Sequence, residues 1–262
     1  VVVAGHQTAG RGQRGNVWCS NAGDNLLFSI LLRPGEQLEV SGQFLLSQVV
    51  ALSLHDTMRC YGIDTKLKWP NDIYVENRKL AGILVELDYS GVFVEQAIIG
   101  IGINVNQELF PEMDRIPVSM KMLLGGNLGI NDVLATALEF FEHYYSQMLY
   151  GNREALAAEY SRLLLGYKEQ RSFVDSEARF DAVIEGVEGD GHLLLRRSDG
   201  TLSRYAFKEV EQLLEISRAT VRFYEKEGLV NPSRGENGYR DYSNEDVEKC
   251  KWIAAICEVL DD

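Results

Sequence analysis

The chain of 262 residues is poor in the side chains that build a covalent or metal-bound scaffold. It has 4 cysteines, Cys19, Cys60, Cys250 and Cys257, and no two of them form a CxxC pair. The histidines His6, His55, His143 and His192 do not cluster with them along the sequence. That spacing excludes a disulfide framework and leaves two expectations: reduced thiols, and no metal site built from a protein cluster. Long apolar runs are missing too. No stretch suffices to span a bilayer and no signal-peptide pattern is visible, so no membrane partner is expected and a cytoplasmic location is. Basic charge is short: Lys and Arg total 26 against 39 Asp and Glu, a net charge of −13. The pI is near 4.8. This balance argues against a polyanion as the main partner. It leaves room for a small anionic ligand, which needs only local positive charge.

What is present suits a globular protein of two or three domains with a large buried core. Ser41 is expected to cap a helix carrying Phe44, Leu45, Val49 and Leu52. Asn131 is expected to cap a second, with Val133, Leu134, Ala137, Leu138, Phe141, Tyr145 and Met148 on one face. Asn152 starts a third, which Gly166 ends. Strands fall between these helices, which predicts an α/β (α+β) first domain with a mixed sheet. From about Gln170 the pattern becomes short alternating strands with tight turns at Glu188-Gly189-Asp190-Gly191 and Ser198-Asp199-Gly200.

Three segments carry the chemistry. An apolar strand over 1–4 runs into Gly10-Arg11-Gly12-Gln13-Arg14-Gly15-Asn16-Val17-Trp18. Glycines let backbone approach a ligand closely, arginines supply forks of donors for phosphate or carboxylate, and tryptophan offers a flat face. Together they describe a mobile cover for an anionic ligand with a ring, which fits a nucleotide. The second segment, from Lys68-Trp69-Pro70-Asn71-Asp72 to Glu86, reads as a hairpin with arms at 73–75 and 79–87 and a turn at Glu76-Asn77. The third, Ile99-Gly100-Ile101-Gly102-Ile103-Asn104-Val105-Asn106, is a strand interrupted by glycines, a mark of close backbone approach to a ligand.

In this order and spacing the three segments resemble the catalytic domain of biotin protein ligases. The family pattern is a GRG-rich loop ending in Trp, then KWPND, then KLAGILVE, then GIGINVN. The resemblance covers roughly residues 1–214. It implies a mixed-sheet, class II synthetase-like catalytic domain over 1–168 and a small SH3-like β-barrel over 169–214. It also implies a two-step reaction. Biotin and ATP form biotinyl-5′-AMP with Mg²⁺, and a lysine of a biotin carboxyl carrier protein, an acetyl-CoA carboxylase subunit or similar, then takes the biotin. The GRG loop, with KWPND and KLAGILVE, favours biotin over lipoate or octanoate, which related transferases carry.

The resemblance assigns roles by position. Lys79 and Arg11 are the expected catalytic residues. Gln7, Gly10, Arg11, Gly12, Gln13, Lys79, Gly82 and Gly102 are expected to contact biotin or the adenylate. Trp18, Asn71, Asp72 and Asn104 are expected on the ATP side, Trp18 near the adenine. Lys79 also stands out without the resemblance, since a lone lysine opening an apolar strand is otherwise hard to motivate. Trp69 and Pro70 read as core and as strand punctuation, and Arg14 reads equally as a solvated loop charge. Many family members carry Arg where this chain has Gln13, which predicts faster release of the intermediate. Members also have a preceding helix and strand with a Ser-Thr-Asn-type motif for the biotin head. The chain opens at Val1 past that point, so this front end is expected to be missing.

Residues 215–262 resemble a different family, the MerR-type winged helix-turn-helix. Ile216-Ser217-Arg218-Ala219-Thr220-Val221-Arg222-Phe223-Tyr224-Glu225-Lys226-Glu227-Gly228 matches its second helix, with Ser217 as cap and Gly228 as stop. Gly238-Tyr239-Arg240-Asp241-Tyr242 matches the wing, and 246–256 the next helix. The resemblance implies DNA contacts from Arg218, Arg222, Tyr239 and Arg240. Acidic residues outnumber basic ones over 216–262, so weak DNA binding is the expectation, and a homodimer remains open. The segment Lys208-Glu209-Val210-Glu211-Gln212-Leu213-Leu214 reads either as the first helix of this motif or as the closing strand of the small barrel. The alternative function is thus a biotin-responsive, DNA-binding transcription regulator with the ligase domain as sensor.

Overall fold

The computed structural model describes residues 1–13, 17–111, 116–207 and 209–212, and beyond these 225–226, 228–230, 233–234, 240–241 and 249. A first sheet has seven strands: β1 (Val2–Ala4), β2 (Leu26–Leu32), β3 (Gly35–Glu39), β4 (Lys66–Lys68), β5 (Asp72–Val75), β6 (Arg78–Ser90) and β7 (Phe93–Ile103). Its order is β1-β2-β7-β6-β5-β4, with β3 paired to β7. The ladders between these strands are antiparallel. Parallel pairing enters as isolated bridges, Leu67 with Leu164 and Lys79 with Pro117. Helix α1 (Phe44–Cys60) lies against β5 and β6, and α3 (Ile130–Tyr150) and α4 (Arg153–Leu163) pack on α1; the short α2 is Met120–Leu124.

Strand periodicity sets where the site can be. On β7, Ala97, Ile99, Ile101 and Ile103 are buried in the core with Val49, Leu52 and Met58 of α1. The alternate positions Ile98, Gly100 and Gly102 point to the opposite face. There they join Gly82, Leu84 and Glu86 of β6 in walling a cavity. One face of the sheet is thus occupied by helices and the other is left for a ligand.

Hairpin β5–β6 forms where expected, with Val75 paired to Arg78 and Glu76 at φ 54° in the turn. The helix starts differ from the sequence expectation in two of three cases. Asn152 does cap α4, its side chain accepting from the Ala155 N–H at 3.0 Å. Ser41 does not cap α1. Its hydroxyl donates to Glu39 Oε2 at 3.2 Å, and the Phe44 N–H donates to the Gly189 carbonyl at 3.1 Å. A distant backbone carbonyl satisfies an amide that a local cap would have taken. Asn131 lies inside the first turn of α3, whose N-cap is Gly129. Helix α4 stops at Leu163, and Gly166 follows at φ 77°.

The second sheet has five antiparallel strands, β8 (Gln170–Asp175), β9 (Arg179–Val187), β10 (Leu193–Arg197), β11 (Leu202–Tyr205) and β12 (Val210–Gln212). Its order is β11-β10-β9-β8-β12. The contested segment is therefore strand over 210–212, with Val210, Glu211 and Gln212 opposite Asp175, Val174 and Phe173. Among the described residues the 188–191 turn of this sheet accepts from the first domain twice, from the Phe44 N–H at the start of α1 and from Trp69 Nε1, which reaches the Gly191 carbonyl at 2.9 Å. Further on, β13 (Ser233–Arg234) and β14 (Arg240–Asp241) form an antiparallel ribbon where the wing is expected. Gly228 has φ 71° at the expected helix stop.

Candidate functional site

A cavity of about 980 Å³ opens on the helix-free face of the first sheet. Its walls include Gln7, Arg11, Gly12, Gln13, Trp18, Asn71, Asp72, Lys79, Gly82, Gly102 and Asn104. The sequence had marked all of these, and three separate segments supply them. Gly10 lies just beneath, buried, where its carbonyl accepts from the Trp18 N–H at 3.0 Å and a side chain would collide with the Trp18 carbonyl. Arg11 pairs with Val17 in an antiparallel bridge, so the flap folds back on itself; residues 14–16, including Arg14, lie outside the described residues.

The floor is a pair of glycines. Gly82 of β6 and Gly102 of β7 are register partners, and the Trp18 indole lies across them. A Cβ at Gly102 would sit 2.5 Å from Trp18 Cε2, and one at Gly82 would sit 3.0 Å from Cζ3. Only bare backbone lets the ring come down this far. Trp18 Nε1 and Gln13 Oε1 are both buried and have no hydrogen-bond partner among the described residues. Unsatisfied polar atoms in a cavity wall cost stability and mark a site that a ligand completes.

Lys79 is held firmly. Its N–H donates to the Ile116 carbonyl at 2.8 Å, and its carbonyl accepts from the Val118 N–H at 3.0 Å. Its ammonium lies 2.7 Å from Asp72 Oδ1 and 5.6 Å from the centroid of the Trp18 ring. The two side chains are 21% and 6% exposed. A charged amine with a fixed root and a partner it can exchange suits neutralising a developing anion. Arg11 sits at the rim, 75% exposed, 3.5 Å from Glu86 Oε2. Two other assigned side chains hold backbone. The Asn71 amide donates to the Ile83 carbonyl at 2.6 Å. The Asn104 amide donates to the carbonyls of Val118 at 3.1 Å and Lys79 at 3.4 Å.

Several wall residues escaped the sequence reading. Lys68, buried at the end of β4, faces the same cavity, and its position opening the KWPND segment was the available signal. Trp69, expected as core, also lines the cavity and meets Phe207 edge-on at 6.0 Å. Ile184, Leu193, Val210, Glu211 and Gln212 come from the second sheet and Phe207 from the link between β11 and β12, and no local pattern announces them.

Against the expectation of no metal-ligand cluster, Glu188, Asp190 and His192 bring ligand atoms within 4.8 Å of one another. These charges are answered within the protein. His192 Nδ1 is 2.9 Å from Asp190 Oδ1, and Arg204 pairs with both Glu188 and Asp190. Of the expected DNA contacts, Arg218, Arg222 and Tyr239 lie outside the described residues, and Arg240 is placed in β14. Among the described residues no helix is long and apolar enough to cross a membrane.

Residues 1–104 match the model of the Biotin/lipoate A/B protein ligase family. The biotin--[acetyl-CoA-carboxylase] ligase of Paracoccus denitrificans is 32% identical over 212 residues, covering 76% of this chain and 85% of that protein. The chain belongs to the biotin protein ligase family. A solved biotin protein ligase from Aquifex aeolicus, in complex with biotin and ATP, superposes with a TM-score of 0.68 at 27% identity, covering 81% of this chain and 88% of that one. The Bifunctional ligase/repressor BirA of Bacillus subtilis is 32% identical over 209 residues, 79% of this chain. This biotin protein ligase homologue spans 64% of the length of that relative. Its residues 205–259 match the model of the MerR HTH family regulatory protein.

Proposed function

We propose that the chain is an ATP-dependent ligase that joins biotin to a lysine of a biotin carboxyl carrier protein. The observation that carries this reading is the Lys79 ammonium, rooted by two backbone bonds and facing a cavity that Arg11, Gly12, Gln13 and Trp18 also line. In the first step a biotin carboxylate oxygen attacks the α-phosphorus of ATP and pyrophosphate leaves, giving biotinyl-5′-AMP. Two anions must meet, so Lys79 exchanges Asp72 for the carboxylate and the phosphate and stabilises the charge between them. In the second step the carrier lysine attacks the acyl carbon, AMP leaves, and the amine gives up a proton as the amide forms. The flap keeps water from the mixed anhydride, and the unpartnered Trp18 N–H and Gln13 carbonyl find partners on the ligand. Gln7, Gly12 and Arg11 bound the ligand from the flap side.

Asp72 fits a Mg²⁺ that arrives with ATP. It is a buried carboxylate in the cavity wall, and Mg²⁺ takes one or two carboxylates plus phosphate oxygens. When bound, the ion would neutralise phosphate charge. We divide the chain into a catalytic domain over 1–168, an SH3-like domain over 169–214 and a helix-turn-helix segment over 215–262. A second reading, a DNA-binding regulator that senses biotin, is favoured by the match over 205–259.

The test is biotin-dependent release of labelled pyrophosphate from ATP. The wild type should release it, and Lys79→Ala should lose about a hundredfold or more in rate. Unchanged release from a folded Lys79→Ala variant would overturn the assignment.

A further inference from the structure

The stretch that follows the flap and the loop that follows β7 are joined by two buried side-chain amides outside the cavity wall. Asn25, just ahead of β2, is 3% exposed, and Gln107, beyond the end of β7, is 1% exposed. The Asn25 amide N–H donates to Gln107 Oε1, and the backbone N–H of Asn21 donates to the same oxygen at 3.0 Å. Gln107 Nε2 donates in turn to the Leu109 carbonyl at 2.9 Å. Asn25 Oδ1 accepts from the Val105 N–H at 3.1 Å. Beside them the Asn106 N–H donates to the Asp24 carbonyl at 2.7 Å. Backbone partners fix which way round Gln107 lies. The Asn21 N–H can only donate and the Leu109 carbonyl can only accept, so the side-chain oxygen faces the first and the nitrogen the second. Burial makes this strict, because an unmatched polar atom in the interior costs more than a made bond returns. The side chain is held at both ends, and neither segment can shift without straining the other.

Both ends lead to the cavity. Asn21 closely follows Trp18 and Cys19, which line it, and Leu109 directly precedes Phe110, which lines it too. Trp18 in turn lies across Gly82 and Gly102 and under the Lys79 ammonium. We propose that Gln107, oriented by Asn25, is a positioning residue of the ligase: one side-chain amide sets together the root of the flap behind Trp18 and the loop that brings Phe110 into the wall. Its effect on turnover rests on the proposed function. A loosened root admits water to the mixed anhydride, and hydrolysis then gives free biotin and AMP in place of biotinylated carrier.

Two variants of similar size separate the bonds. Gln107→Met removes all of them. Gln107→Glu keeps an acceptor for Asn21 and Asn25 and loses the donor to Leu109. The first readout needs no ligand: alkylation of Cys19 by iodoacetamide in the full chain, resolved by peptide mass spectrometry, with the exposed Cys60 of α1 as reference. Gln107→Met should raise the Cys19 rate relative to Cys60 about tenfold, and Gln107→Glu should stay within about twofold of wild type because its bond to Asn21 remains. Equal Cys19 rates in wild type and Gln107→Met overturn the hold on the flap root. The second readout is pyrophosphate released per biotin transferred to a saturating biotin carboxyl carrier domain. Wild type should form the two in equal amounts, and both variants should raise the ratio, Gln107→Met by about tenfold. A variant that is merely less stable loses both rates and keeps the wild-type ratio. That result in Gln107→Glu overturns the positioning role even where Gln107→Met does not fold. A wild-type chain that releases no pyrophosphate overturns the proposed function instead, and the alkylation comparison still decides whether Gln107 holds the flap root.

Discussion

His55, on α1, is 5% exposed and belongs to none of the three catalytic segments. Its Nδ1 lies 2.8 Å from Thr65 Oγ1. Burial pulls its pKa below the ordinary 6.5, against the opposing pull of Asp56. The unfolded chain therefore takes up the proton first as pH falls. The neutral form's contribution to stability is complete above about pH 6.5 and declines as the pH drops below it. Urea unfolding at pH 7.5, 6.5 and 5.5 should show a steeper acid-side loss for wild type than for His55→Gln, and parallel curves would refute this. His55 was invisible as a buried titrating group in the sequence, because a histidine on a helix discloses nothing about its depth. Lys79 was legible because its charge interrupts an apolar strand. Lys68 did not meet that criterion, since β4 reads Lys66-Leu67-Lys68 and its charge is neither alone nor set in an apolar run.

Strands were more readable than helix starts. The β5–β6 hairpin depends on neighbours in sequence, and both arms appear where alternation and the Glu76-Asn77 turn put them. The Ser41 cap failed because the α1 terminus is satisfied from Gly189, almost one hundred and fifty residues away in the chain. The cavity floor belongs to this scale as well. The glycine pattern of β6 and β7 signalled close approach, and the element that approaches is the protein's own Trp18. Gly102→Ala would push a methyl into the indole from a position laddered on both sides, to Leu27 and to Gly82. Circular dichroism should show the fold retained, while biotin-dependent pyrophosphate release falls about a hundredfold through displacement of the flap. Unimpaired release would show that the flap does not need its seat on β7.

The largest part that sequence could not supply is the relation between the two sheets. Trp69 donates to Gly191 and meets Phe207 edge-on, contacts between residues more than a hundred positions apart. Trp69→Phe keeps an aromatic ring and removes the N–H, at an expected cost of about 1 kcal/mol. Amide exchange should quicken at 191–193 and 207–212 and stay unchanged along β6 and β7. Equal protection in both sheets would mean that the joint lies elsewhere. The turn over 188–191 also receives the first amide of α1, so two carbonyls of one tight corner, those of Gly189 and Gly191, serve a helix and a tryptophan together. The fastening is therefore sensitive to length. Replacing the side chain of Glu188 leaves the backbone of both acceptors intact, whereas inserting or deleting a single residue in that corner would withdraw them at one stroke.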